Sequence, residues 1–378
     1  MIITDKRSVM PNRRRAVTER CVDALARANE LRQHHAGAAL LLTRPGAVNW
    51  ITGGLSDPID LSSSSDPVWA LVGNQRRALI TTEIEAPRLV RDFDVATMGW
   101  DLVSVPWFEA NAWRDAVTNY LSGEAKSLVS DAVGFGVDIT TEIVATRMVL
   151  SSGERDELRE LGRVAARALD QGIASWRPGV SRDFDVAGEI AGEIERAGAK
   201  AVCLIVGGDD RLRTLRHPLA IGEVVHDAVM AVVVARRGGL HVAATRLAVR
   251  RDDDPLIQLV QELDPINDAI LNASRPGSSW GEMITALAQS YRHAGKEGAW
   301  RQHYQGGPIA FEQREFELAP GQSASPYWDL RCEVNTAVAW NPSLDGGAKI
   351  EETYLVGTKG LELVTVSESG NERVKVVG

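Results

Sequence analysis

Apolar residues recur at helical spacing from Arg15 to Gln33, through Val17, Cys21, Val22, Leu25 and Ala28. The run AGAALLLT over Ala36–Thr43 then reads as a buried strand. Shorter apolar runs at Trp69–Val72, Arg77–Thr81 and Leu102–Val105 alternate with helical stretches near Ala112–Leu121 and Ile139–Leu150, so the first half is mixed α/β. A long helix rich in Asp, Glu and Arg is expected from Glu154 to about Ser175. Between these parts the polar stretch LSSGE has turn chemistry, and the expected domains are 1–152 and 153–378.

The second half contains an internal echo. The end of the long helix is followed by Arg177-Pro178-Gly179, with Ser181 just beyond, and by an amphipathic helix closing at Gly198. The same order returns as a helix over Leu263–Ala273, Arg275-Pro276-Gly277 with Ser278, a helix over Met283–Tyr291, and Gly295 as its stop. Glycine just past a helix end permits a left-handed cap, and serine ahead of a helix satisfies its free amides. Strand-like runs follow in each copy, AVCLIVGG and AVMAVVVA in the first, NTAVAW and TYLVG in the second. The repetition predicts an α+β domain of two pseudo-symmetric halves around a sheet-lined pocket.

Composition narrows the function. The 378 residues are 44% hydrophobic and carry Lys+Arg 42 against Asp+Glu 51, a formal net charge of -9. That balance gives no overall electrostatic reason to seek nucleic acid or an anionic membrane. The longest apolar candidate, Ala228 to Ala235, is strand length, far short of the roughly 18 residues a membrane helix needs. No secretory signal is read at the basic N-terminus, so a cytoplasmic location is expected. Cys21, Cys203 and Cys332 form no zinc spacing and are expected to be free thiols. Gly277-Ser278-Ser279-Trp280-Gly281 matches a G-x-S-x-G string, but it follows a helix and lacks the strand that a nucleophile elbow requires.

The duplicated layout, the two RPG turns and the phrase Asn49-Trp50-Ile51-Thr52-Gly53-Gly54 together resemble the pita-bread superfamily of creatinase, aminopeptidase P and methionine aminopeptidase. The resemblance spans nearly the whole chain. It is most specific at Arg216-His217-Pro218, at Gly239 to Arg246, at Gly306-Gly307-Pro308-Ile309-Ala310 through Arg314-Glu315, at Ala339-Trp340-Asn341-Pro342 and at Lys349-Ile350-Glu351-Glu352. It implies a pita-bread C-terminal domain behind a smaller creatinase-type α/β domain, and a homodimer.

Carried over residue by residue, the family's metal ligands fall at about Val232, Ala243, Gly307, Asn341 and Glu351. Val, Ala and Gly have no side-chain lone pair to offer, Asn has only a neutral carbonyl, and a single carboxylate remains. No Asp or Glu occurs between Asp227 and Asp252, so a register shift in these strands restores nothing. The implied reading is a member without the dinuclear metal site, with no metal and no cofactor expected.

Creatinase is the family precedent for metal-free chemistry, with a pocket histidine moving protons and an arginine holding the substrate carboxylate. The resemblance assigns those parts to His217 and Arg314, while Thr245 and Asn341 stand where creatinase keeps acidic residues for a guanidinium, so creatine itself is not expected as substrate. Imidazole titrates near neutral pH, which suits His217 to proton transfer, against a bland role holding a loop carbonyl. Arg314 offers a forked pair of donors, against an ion pair with Glu315 or Glu312. For Glu351, burial without metal would raise the pKa and make it a proton donor; its alternatives are orienting His217, accepting from a substrate amine, or pairing with Lys349 or Arg246. His217 and Glu351 are thus the catalytic candidates. Arg314, Asn341, Gln305, Arg246, His241, His303 and Glu315 are the substrate-side candidates, with Arg246 more readily a brace for the pocket wall and His241 as easily turned away from the pocket by strand alternation.

The expected function is a metal-independent, creatinase-like enzyme acting on a small carboxylate-bearing substrate by C–N bond hydrolysis or related lyase or isomerase chemistry. Its competitors are a catalytically inactive binding module and a metallopeptidase whose site has moved to His217, His241, His303 and Glu351.

Overall fold

The computed structural model describes residues 9–55, 67–122, 127–367, 370 and 373–377. The chain divides into two compact units, Met1–Arg147 and Met148–Gly378, a few residues ahead of the expected boundary.

In the first unit the strands β1 Ala39–Leu42, β2 Val68–Val72, β3 Arg77–Thr82, β4 Asp101–Val105, β5 Leu128–Ser130 and β6 Val137–Asp138 form one sheet in the order β4-β3-β2-β1-β5-β6. Pairing is antiparallel among β1, β2 and β3 and parallel elsewhere. The helix Ala112–Leu121 buries Ala116, Val117 and Tyr120 in a cluster with Leu41, Leu71 and Ile80, which is what its apolar spacing required.

The second unit holds β7 Lys200–Gly208, β8 Ala228–Arg237, β9 Leu240–Val249, β10 Gly306–Pro308, β11 Ala337–Trp340, β12 Glu352–Val356, β13 Leu361–Leu363 and β14 Val374–Val376. Two four-stranded sheets result, in the orders β14-β9-β8-β7 and β10-β11-β12-β13. They meet along β9. There His241 N donates to Ala310 O at 2.8 Å and Thr245 N to Glu351 O at 2.9 Å. Between these two bonds the Thr353 hydroxyl both accepts from Ala243 N and donates to Ala243 O, each at 2.9 Å.

The long helix Ser152–Ser175 begins in a capping box: Glu154 N donates to Ser151 Oγ and Ser151 N to the Glu154 carboxylate. Its small residues let it lie close to its neighbours. A Cβ at Gly162 would come within 2.4 Å of Val364 O, and one at Gly172 within 2.3 Å of the Ile190 side chain. On this support β8 is buried from Ala228 to Arg236, as its uninterrupted apolar run demands.

The repeated RPG phrase has a repeated geometry. Gly179 and Gly277 both adopt left-handed backbone, at φ 73° and 89°. Their amides donate to Val225 O and Cys332 O, whose own residues donate back to Ser181 O and Ser278 O. Each turn is therefore clipped to the segment that leads into a central strand, β8 or β11. The G-x-S-x-G string lies within the second turn, where Ser279 caps the helix Trp280–His293 through a box with Glu282. Among the described residues no helix is long and apolar enough to cross a membrane.

Candidate active site

Glu351 enters the site from the start of β12 and is 3% exposed. Its Oε1 accepts from Arg314 Nη2 at 3.0 Å and its Oε2 from Thr245 Oγ1 at 3.1 Å. Lys349 Nζ, on a residue 6% exposed, stands 3.6 Å from the same Oε2. One buried carboxylate is thus shared by a guanidinium, an amine and a hydroxyl. Burial opposes its charge, but Lys349 and Arg314, with the hydrogen bonds from Arg314 and Thr245, hold the carboxyl below the usual range. The expected proton-donating Glu351 with a raised pKa is therefore corrected: it is a stabilised carboxylate. Burial pushes Lys349 down, with Glu351 opposing and Arg314 assisting.

The positions carried over from the metal-binding relatives are buried around this cluster. Val232 pairs with Thr245, Val234 with Ala243, and Gly307 with Ala339. Asn341 N donates to Gln305 O at 2.9 Å, and Asn341 Oδ1 is buried with no hydrogen-bond partner. A dinuclear cation site does not fit these residues. Three of the five positions carry no donor atom, and the one carboxylate is already neutralised by two basic side chains. Among the described residues no group of three or more His, Cys, Asp or Glu is placed to hold a metal ion.

His217 and His303 come together although 86 residues apart, with Nε2 to Nε2 at 3.1 Å and ring centroids 5.0 Å apart. Arg216 fastens the His217 loop here by donating to Asp345 Oδ1 at 2.6 Å and to Gln302 Oε1. His303 Nδ1 lies 2.5 Å from Tyr304 O. Burial and then Lys349 lower the pKa of His217, with Glu351 opposing. The same two causes, strengthened by His217 itself, take His303 down to about 3, against its hydrogen bond to Tyr304 O and the charge of Glu351. This shift has a signed consequence. The unfolded chain binds a proton at His303 below pH about 6.5, whereas the folded chain does so only near 3, so acid favours unfolding across that window. Denaturation midpoints are expected to fall as pH drops from 6.5 toward 3, and less steeply in His303→Leu. Parallel pH dependence in the two proteins would refute the assignment.

Several other candidates have work elsewhere. Gln305, expected to read a substrate group, donates from Nε2 to Trp300 O and His303 O, at 3.0 and 2.8 Å, and its Oε1 accepts from Tyr291 Oη at 3.1 Å. Its amide is consumed in holding the loop that presents His303. Glu315 Oε1 accepts from the amides of Phe311 and Glu312, so it shapes the turn beside Arg314. His241 is buried with Nδ1 3.2 Å from Ala310 O, at the junction of the sheets. Arg246 points to the opposite layer, where it pairs with Glu352 at 2.6 Å and Asp170 at 3.5 Å and donates to Thr365 O. All four side chains are thus held by the protein's own groups, and for Arg246 this is the bracing place that the sequence favoured. Arg314 is paired with Glu351.

Sequence reasoning missed three neighbours. Thr245 was read only as a lost acid, yet its hydroxyl orients Glu351. Glu317 accepts from Gly306 N at 3.3 Å, and burial raises its carboxyl despite Arg314. Cys203, a free thiol, is raised by burial and by Glu351, with Lys349 and Arg314 opposing. The alternation of β7 and β9 carried the signal for two of them. Thr245 pairs directly with Val232, and Cys203 pairs with Val234, which in turn lies opposite Ala243, so both fall on the sheet face of the former ligand positions.

Solved structures share this fold across almost the whole chain. The dipeptidase PepE from Mycobacterium ulcerans superposes with a TM-score of 0.73 at 19% identity, over 95% of this chain and 98% of that one. The X-Pro aminopeptidase from Thermotoga maritima gives 0.72 at 16% identity, over 93% and 99%. The N-terminal domain of FACT complex subunit SPT16 from chickpea gives 0.67 at 12%, over 95% and 99%. No curated protein sequence matches the chain. The expected α+β pita-bread architecture is the one observed. The profile of metallopeptidase family M24 matches residues 156–358, more than half of the 378, and the chain belongs to that family.

Proposed function

We propose that this protein is a hydrolase-type member of the M24 family that cleaves a C–N bond in a small carboxylate-bearing substrate without the family's dinuclear metal centre. The supporting observation is that, in place of a ligand cluster, the buried Glu351 and Lys349 and the half-buried Arg314 stand beside a pair of neutral imidazoles. A site with two basic side chains and one carboxylate attracts an anion where the relatives' arrangement would attract cations. In this reading Arg314 and Lys349 hold the substrate carboxylate and Asn341 Oδ1 accepts from a polar hydrogen of the substrate. His217 takes a proton from water as its oxygen attacks the carbonyl carbon, then returns it to the nitrogen as the C–N bond breaks. A lyase or isomerase would use the same proton path without the water.

Dipeptides and N-acyl amino acids form the first panel. His217→Ala is expected to lose about 10²–10⁴ of kcat. Arg314→Lys keeps the charge facing Glu351 but loses the fork, so KM should rise for free carboxylates with kcat retained. Exhaustive chelation should leave turnover unchanged. Undiminished turnover in His217→Ala, or loss of activity restored by a divalent cation, would overturn the proposal.

A second reading, a binding module, is favoured by the apolar residues at two former ligand positions, Val232 and Ala243, and by the fold shared with a protein named as a complex subunit. It predicts no turnover on any member of the panel.

A further inference from the structure

We infer that His303 is a positioning residue that holds His217 in its Nε2-protonated form, so that Nδ1 of His217 is the nitrogen that exchanges a proton with substrate. The inference rests on the proposed acid–base role of His217 and specifies the atom and the support behind it.

The argument begins at a carbonyl. Tyr304 O can only accept, so His303 Nδ1, 2.5 Å away, must carry the hydrogen. A neutral His303 then has its lone pair on Nε2. That lone pair faces His217 Nε2 at 3.1 Å, a distance at which two lone pairs would repel and a donor and an acceptor bond. The hydrogen therefore belongs to His217 Nε2, whether His217 is neutral or charged. Only Nδ1 is left to gain and lose a proton, and among the described residues nothing is hydrogen-bonded to it.

The main chain of His303 is also held. Gln305 donates to the His303 carbonyl at 2.8 Å and is fixed in turn by the buried Tyr291, whose Oη lies 3.1 Å from Gln305 Oε1 and accepts from Ser343 N at 2.9 Å. Among the charged groups, Lys349 disfavours protonation of both imidazoles and Glu351 favours it, while the nearby Arg216 is paired with Asp345. His303 so stays a neutral acceptor. When His217 gains a proton at Nδ1, its Nε2–H becomes a stronger donor toward that acceptor. This is the orienting role a carboxylate fills in a catalytic triad, performed without adding negative charge to a site that must admit an anion.

Long-range proton–nitrogen NMR correlation on the full chain labelled with ring-¹⁵N histidine reads both tautomers directly, with no substrate needed. His303 is expected as the Nδ1–H form and His217 as the Nε2–H form at neutral pH. In His303→Leu the His217 signal should lose this single form and become the mixture of tautomers seen in free imidazole. His303→Gln, whose amide oxygen can replace the lone pair, should restore it. A wild-type His303 with its hydrogen on Nε2, or a neutral His217 with its hydrogen on Nδ1, overturns the inference, and the wild-type spectrum decides this even where a variant does not fold. An unchanged His217 tautomer in a folded His303→Leu overturns it as well. Should the tautomers be as expected while His217→Ala retains turnover, the positional assignment stands and the acid–base role of His217 falls.

Discussion

Glu351→Ala is expected to destabilise the protein by about 3–5 kcal/mol, because it leaves a buried cation without its counter-charge. Lys349 is 6% exposed, and Glu351 is the carboxylate it faces, at 3.6 Å. Arg314 is less affected, since its partly exposed guanidinium can turn to water. The cost therefore arises chiefly at Lys349. Removing both charges in Glu351→Ala/Lys349→Met should recover more than half of the loss, a non-additivity that chemical denaturation of the four proteins of the cycle would measure. The effect has a defined pH dependence. The folded-state pKa of Glu351 is depressed, so its contribution is present above the unfolded carboxylate range and is lost as pH falls through the folded value. The gap between wild type and Glu351→Ala should narrow in acid. A single-mutant cost below about 1 kcal/mol, in the range of exposed pairs, would mean that Lys349 does not depend on this carboxylate.

Gly306→Ala is expected to disturb the site without touching a charged group. Gly306 has φ 86°, and a Cβ there would lie 2.1 Å from Ala339 O and 3.1 Å from the Trp340 Cα. The clash is with backbone across the β10–β11 ladder, which no side-chain rotation relieves. Left-handed strain and overpacking together cost about 2–6 kcal/mol. They would also displace Gln305, and with it the His303 loop, and break the contact of Gly306 N with Glu317. Gly188→Ala is the matched control. It lies exposed in the helix Asp183–Arg196, where an added Cβ meets nothing within 4 Å, so about 0.5–1 kcal/mol of stabilisation is expected. Thermal unfolding of the two variants should shift in opposite directions; a Gly306→Ala protein as stable as wild type would show that β10 can move without cost.

The fold was legible wherever a local cause set the structure. Helical spacing placed the helix Ala112–Leu121, an unbroken apolar run placed β8, and glycine chemistry placed both RPG turns. The site was legible in part. His217, Arg314 and Glu351 were marked by their residue type at resembling positions and His303 only by its place near the pocket, and the structure pairs Arg314 with Glu351 and His217 with His303. Their partners were harder to read, because a hydrogen bond between residues more than a hundred positions apart leaves no periodic trace, as with Thr245 and Glu351. The sign of the Glu351 shift was misread for a related reason. Burial was foreseeable from an apolar neighbourhood, but the order of effects depended on two cations reaching one carboxylate, which is a matter of distance. Gln305 shows why a versatile polar side chain is hard to place from sequence: the nearby backbone carbonyls of Trp300 and His303 take up its amide.

The hydroxyl of Thr353 stands between β9 and β12 where a regular sheet would place a peptide group. On one side of it Thr245 and Glu351 face one another from different sheets, joined through both main chain and side chain, and on the other His241 N donates to Ala310 O. The junction is therefore pinned by side chains as well as by main chain, and Arg314, bonded to Glu351, is anchored to it through that one carboxylate. A substitution at Thr353 would loosen the seam and the support of Glu351 together.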